Sequence, residues 1–247
     1  MPRAVVIQLA GSDPPGWLGE WLPAAGLELD VIRPYEGEPV PSTVPGDALI
    51  VLGGEMSAYE EGRAPWLRPT RALLSAAVAA DVPTLGVCLG AQLLAVQFGG
   101  RVQVSDPAGP EIGLCEVSMA AAAVGDHLLG TLPPRVPAIQ WHYDGVAEVP
   151  LDAVVLASSP RYACQAFRIG DSTWGIQWHP EVTPEIAASW AAHDSGALGA
   201  NGLDAVALLD AFVSRQQELI DTWRPMATRF AVTAAAAAQR RQHRLEP

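Results

Sequence analysis

Cysteine is scarce in this chain, with Cys88, Cys115 and Cys164 as the three thiols among 247 residues. Thiols so few and so scattered exclude a disulfide framework and a metal cluster with close ligand spacing, and they point to a reducing compartment, the cytoplasm. Basic residues are also short in number. Fifteen Lys and Arg stand against 27 Asp and Glu, a formal net charge of -12. That balance argues against nucleic acid and anionic membrane as partners, because both require clustered positive charge. Small neutral or amine-bearing molecules fit better. No apolar run reaches the roughly 18 residues of a membrane span. The segment Met1 to Ala10 is a short strand pattern without the apolar region and cleavage site of a secretory leader. There is no repeat at the period of a solenoid and no Gly-x-x-x-x-Gly-Lys-Ser/Thr phosphate loop. Nothing calls for a metal ion or an organic cofactor.

What is present is an alternation of short apolar runs and helical stretches. A chain of 247 residues is long enough for one stable α/β domain. Strands are predicted over Ala4–Leu9, Leu27–Arg33, Ala48–Leu52 and Pro83–Val87, with helices over Trp17–Ala25 and Trp66–Ala80. Further β-type runs at Arg101–Glu116, Ala138–Trp141, Ala153–Ala157, Tyr162–Ile169 and Ser172–Gln177 come in close succession, with Gly170-Asp171 as the clearest hairpin turn. The fold class is therefore α/β, a mostly parallel sheet with helices on both faces, a mixed or antiparallel flank and a helical C-terminal extension. The expected organisation is a core over residues 1–182, with C-terminal helices over 183–247 packed on it as part of a single domain. Within that extension, Ser195–Gly202 reads as a flexible connector. Leu203, Val206, Leu209, Leu219 and Trp223 read as a buried helix face. The run Gln239–Arg244 reads as a solvated helix end.

The feature richest in chemistry is Gly86-Val-Cys88-Leu-Gly90, where a strand pattern turns straight into a helical one. Glycines two residues either side of a nucleophile permit a sharp strand-to-helix bend that lifts the side chain clear of the sheet. Unpaired N–H groups and the positive helix end favour the thiolate, the reactive form of a cysteine in such a place. Cys115 and Cys164 lack this setting and read as core residues. His127, beside Asp126 at an expected helix start, reads as structural or exposed. His179 differs, because in Trp174-Gly-Ile-Gln-Trp-His179-Pro-Glu181 the carboxylate two positions on can share a face with it in an extended segment and hold its tautomer. A tetrahedral intermediate on sulfur also needs oxyanion donors. The N–H of Leu89 follows the nucleophile, and the pair Gly53-Gly54 ends an expected strand, where a residue without Cβ brings its N–H close to a ligand.

Together these residues resemble the class I glutamine amidotransferases of the Cys-His-Glu triad type, in particular stand-alone members similar to the amidotransferase domain of GMP synthase. The resemblance spans nearly the whole chain. It rests on Gly-Val-Cys88-Leu-Gly-Ala-Gln92 and Trp-Gly-Ile-Gln-Trp-His179-Pro-Glu181, with Leu52-Gly-Gly-Glu-Met-Ser57, Glu111-Ile-Gly113 and Gln140-Trp-His-Tyr-Asp144 as supporting blocks. It implies a flavodoxin-like sheet, Cys88 as nucleophile, His179 as base and Glu181 as its orienter. Gly54 and Leu89 would form the oxyanion hole, Glu111-Ile-Gly113 would be the turn before the hairpin, and Gly53, Gln92, His142, Tyr143 and Asp144 would face the substrate. Glu55 and Tyr143 depart from the family pattern, which commonly has Pro and Gly at these two positions.

The implied reaction is hydrolysis of the glutamine side-chain amide through a γ-glutamyl thioester, with ammonia passing to a synthetase or other acceptor-enzyme chain. Two alternatives remain at this point: a stand-alone γ-glutamyl hydrolase or peptidase, and a catalytically silent binding module. The acceptor, the partner chain and homo-oligomer formation stay open.

Overall fold

The computed structural model describes residues 1–245. A nine-stranded sheet runs in the order β2-β1-β3-β4-β11-β10-β9-β6-β7. Its parallel half consists of β1 (Arg3–Ile7), β2 (Glu28–Ile32), β3 (Ala48–Val51), β4 (Thr84–Val87) and β11 (Thr173–Ile176). The antiparallel half adds β10 (Ala166–Ile169), β9 (Ala153–Ser158), β6 (Glu111–Met119) and β7 (Arg135–His142). A separate two-stranded sheet pairs β5 (Arg101–Gln103) with β8 (Gly145–Glu148). The sheet is thus α/β and mixed, with a parallel core, as the strand pattern predicts.

Period-two alternation in the central strands explains the two layers of helices. Ala4 and Val6 of β1 and Ala48 and Ile50 of β3 enter one core, while Val5, Ile7, Leu49 and Val51 enter the other. The first core is covered by α1 (Gly16–Ala24) and α7 (Gln216–Leu245), through Trp17, Leu18, Trp223, Met226 and Phe230. The second is covered by α2 (Leu67–Ala79) and α3 (Leu89–Gln97). Between β11 and α7 lie α4 (Pro184–His193), α5 (Ser195–Ala200) and α6 (Ala205–Ser214). The α4 helix opens with Thr183 as its cap and Pro184 at its first position. Among the described residues no helix is long and apolar enough to cross a membrane.

Several local expectations are corrected. The segment expected to be a flexible connector forms α5, because Leu198 is buried in a small apolar cluster with Ile112 and Ala191. Tertiary burial there outweighs the helix cost of Gly196 and Gly199. Gly113 lies within β6, paired with Gln140, and not in a turn; its φ of +87° and missing Cβ admit Leu208 of α6. The long run from Arg101 breaks after Gln103, and β8 was not read from sequence at all. Asp126 caps a turn, accepting from the Leu128 and Leu129 N–H groups, and no helix follows. His127 is exposed. Val206 is 67% exposed, so it leaves the helix face on which Leu219 and Trp223 are buried. Cys164 is buried as expected, whereas Cys115 is only half-buried. In the run Gln239–Arg244, Arg241 pairs with Asp47 at 2.6 Å, and the side chains from residue 243 onward lie outside the described residues.

Candidate active site

Parallel strands deliver their carboxyl ends to one edge of the sheet, where ligand crevices of open α/β folds form. Cys88 stands there, between β4 and α3, with φ +50° and ψ −109°. A non-glycine residue in this region holds strain of about 1–3 kcal/mol, which the surroundings must impose. Its N–H donates to Ile176 O of β11 at 2.8 Å, and its carbonyl accepts from Gln92 N at 3.0 Å. The flanking glycines work by close approach. A Cβ on Gly90 would run into the carbonyl of Val51, and one on Gly86 would lie 2.7 Å from the Gly90 carbonyl carbon. The head of α3 is thereby pressed onto β3 and β4, and the strained φ falls on the cysteine itself.

His179 and Glu181 follow β11 in a bend and turn, and not in the extended strand that the spacing suggested. They converge nonetheless. His179 Nδ1 and Glu181 Oε1 are 2.7 Å apart with both side chains buried, which leaves His179 Nε2 without a protein hydrogen-bond partner. Burial works against a charged His179, yet the charges of Glu181 and Cys88 outweigh it and hold its pKa well above the ordinary 6.5. Trp190 of α4 lies edge-on to the imidazole at 4.7 Å. Behind it, Trp178 points the other way and packs on Trp223 of α7 at 5.0 Å.

Cys88, His179, Gly54, Gln92, His142, Tyr143 and Asp144 all border one cleft of about 280 Å³. Leu89 sits beside Gly54, its Cδ2 lying 3.2 Å from where a Gly54 Cβ would be. Glu181 stands behind His179. Gly53 faces Asp13 and His179, not the open cleft. Gln92 Nε2 donates to Asp144 O and to Gln177 Oε1, each at 3.2 Å. Asp144 Oδ1 accepts from Ser105 N at 2.9 Å. Burial, with Asp194 nearby, raises the Tyr143 phenol above its usual range, and its hydroxyl has no partner within the protein. Among the described residues no cluster of three His, Cys, Asp or Glu side chains is placed to hold a metal ion.

Sequence reasoning missed several cleft residues. Gln177 donates to Cys88 Sγ at 3.4 Å; it stands in the bend just after β11, and its contact is with a group far away along the chain. Asp13 ends the segment after β1, another strand whose carboxyl end meets this edge. Ser189, His193 and Asp194 of α4 and its C-terminal cap form a wall beside Glu55, and His193 Nε2 and Glu55 Oε2 lie 3.7 Å apart. No local signal marked that wall.

A model of the family described as glutamine amidotransferase class-I matches residues 21–191 of this chain. The chain belongs to that family. It is 32% identical over 167 residues to one of the subunits of the glutamine-hydrolyzing GMP synthase of Halobacterium salinarum, and the match covers 63% of this chain and 82% of that one. With the GMP synthase of Aeropyrum pernix it shares 41% identity over 100 residues, or 40% of this chain and 19% of that longer protein. A glutamine amidotransferase structure from Thermotoga maritima superposes with a TM-score of 0.81 at 25% identity, covering 93% of this chain and 98% of the other. As a class I glutamine amidotransferase, the protein is an enzyme of glutamine amide hydrolysis.

Proposed function

We propose that this amidotransferase works through Cys88, His179 and Glu181, with glutamine bound between Gly54 and the Gln92–Asp144 wall. The observation that supports this most directly is the buried His179–Glu181 contact of 2.7 Å beside a strained Cys88 in one cleft. In this reading the Cys88 thiolate attacks the side-chain carbonyl carbon, and the N–H groups of Gly54 and Leu89 hold the oxyanion. Protonated His179 gives its proton from Nε2 to the amide nitrogen, the C–N bond breaks, and ammonia leaves. His179 then takes a proton from water, whose oxygen attacks the γ-glutamyl thioester and frees glutamate and the thiol. Glu181 keeps the proton on Nδ1 throughout, so that Nε2 always faces the chemistry. Residues 1–182 act as the catalytic core, and the C-terminal helices complete its wall within one domain. Ammonia passes to an acceptor on a separate synthetase chain, in line with the Halobacterium relative being one subunit of its synthase.

A glutamine-mimicking electrophile tests the assignment. It should label Cys88 stoichiometrically, and Cys88→Ser should lower glutaminase activity by at least about 10⁴-fold. A label elsewhere, or a fully active variant, would refute it. The second reading is a stand-alone γ-glutamyl hydrolase, favoured by the further polar side chains of Ser189, His193 and Asp194 that border the same cleft. Cleavage of γ-glutamyl dipeptides faster than of glutamine by the purified protein would select it.

A further inference from the structure

Asp13 belongs neither to the Cys88, His179 and Glu181 group nor to the substrate wall, yet it is 6% exposed and borders the same cleft. The loop that carries it is fastened to the His179 segment and to α4. Trp17 N–H donates to Glu181 O at 2.8 Å and Trp190 Nε1 of α4 to Ser12 O at 2.8 Å, while Asp13 N–H closes the loop on Ala10 O at 3.2 Å. Gly16, at φ +45°, lies so close to the Glu181 carbonyl that a Cβ would collide with it. Gly53 shows where the side chain goes. A Cβ there would stand 2.6 Å from Asp13 Oδ1 and 3.1 Å from His179 Cε1, so the carboxylate and the imidazole edge share the space above one glycine.

A buried carboxylate is costly without a compensating charge. The chain contains no lysine, and among the described residues no arginine forms an ion pair with Asp13. Its carboxylate accepts from the Ser12 hydroxyl. The cation that remains is His179. The Asp13 carboxyl is raised to about 6: burial pushes it up most, the His179 charge and the Ser12 hydroxyl hold it down, and Glu181 and Glu55 add to the rise. Such coupling is reciprocal: whatever His179 does for a charged Asp13, a charged Asp13 does for the imidazolium.

We propose that Asp13 is a positioning residue of the reaction, a second carboxylate that stabilises cationic His179 from its Cε1 edge while Glu181 holds Nδ1 and Nε2 is left without a protein hydrogen-bond partner. The proposal rests on His179 being the acid and base of the mechanism above. It gives the imidazolium two carboxylates, so more of it is ready to protonate the leaving nitrogen at neutral and alkaline pH. The other titratable groups facing this space are Cys88 at the head of α3, Glu55 after β3, His142, Tyr143 and Asp144 at and beyond the end of β7, and His193 and Asp194 at the end of α4, so the assignment must come from variants and not from a pH profile alone.

The test uses the full-length chain with its histidines labelled at ¹³Cε1, and variants Asp13→Asn and Asp13→Ser. Both should move the NMR titration of His179 to lower pH by about one unit, and should lower kcat/KM for glutamine about tenfold above neutrality, with the loss in kcat and not in KM. Unchanged His179 titration in both variants, with an unmoved alkaline limb, overturns the proposal. If neither variant folds, the wild-type Asp13 carboxyl ¹³C signal is followed instead. A titration near 6 that perturbs the His179 signal supports the coupling, and its absence overturns it. The titration needs no turnover, so it separates the two claims: a fully active His179→Ala enzyme would sink the mechanism, whereas uncoupled Asp13 and His179 signals would sink only this inference.

Discussion

In the parallel half of the sheet four loops leave the same edge, after β1, β3, β4 and β11, and they carry Asp13, Gly54, Cys88 and His179. In the antiparallel half only the end of β7 and the turn beyond it reach the cleft, with Trp141, His142, Tyr143 and Asp144. The means of positioning differ too. On the parallel side, backbone hydrogen bonds and bare glycines set the distances, as at Cys88 N to Ile176 O and at Gly90 against Val51. On the antiparallel side a buried side-chain network does so. Glu111 accepts from Ser159 Oγ at 2.7 Å and Gln165 Nε2 at 2.6 Å and lies 3.4 Å from His142 Nε2, while His142 Nδ1 meets Asp144 O at 2.9 Å. The bend at Cys88 is thus held by the main chain, whose geometry tolerates little change. The proposed substrate wall is held by side chains.

Glu181→Gln cuts most deeply into the parallel side. It should lower kcat by about 10³- to 10⁴-fold, and the alkaline limb of the rate profile should move to lower pH because a charge that raises the His179 pKa is lost. Stability follows with a definite sign. A histidine raised above 6.5 stabilises the fold fully below that pH and less as pH climbs through its folded value. The gap in unfolding free energy between wild type and variant should therefore narrow at alkaline pH; a gap that widens would contradict the pairing.

Next comes the element that joins the halves. Trp223 of α7 packs on Trp178 after β11 and donates from Nε1 to Pro137 O of β7 at 3.0 Å. Trp223→Ala should cost about 3–5 kcal/mol in denaturant unfolding, yet the folded fraction should still be labelled at Cys88. Loss of labelling without loss of stability would mean that α7 tunes the site itself. The smallest effect belongs to the antiparallel wall. Tyr143→Phe removes a hydroxyl without a protein partner, so stability should not fall. The KM for glutamine should rise about two- to tenfold, the worth of one hydrogen bond, with kcat unchanged. A fall in kcat instead would place Tyr143 with the reacting groups and erase the distinction between the two sides.

Legibility followed the same division. The strands β1, β3 and β4 were read from their apolar runs to within a residue or two, and Gly170-Asp171 is indeed the turn between β10 and β11. The helix α5 was not legible, because Leu198 is buried in a cluster that includes Ile112 and Trp141, far away along the chain. The strand β8 was not legible either, being short and half exposed.

By itself, the sequence determined the nucleophile's bend, the histidine with its carboxylate two residues on, and the parallel strands that support them. Each is a local pattern of spacing, period or missing Cβ, and such patterns are written in consecutive residues. Only the tertiary structure decided that Asp13, Gln177 and the wall of α4 join the site. Their roles come from meeting groups far away along the chain, and that meeting exists only once parallel strands bring their ends to one edge.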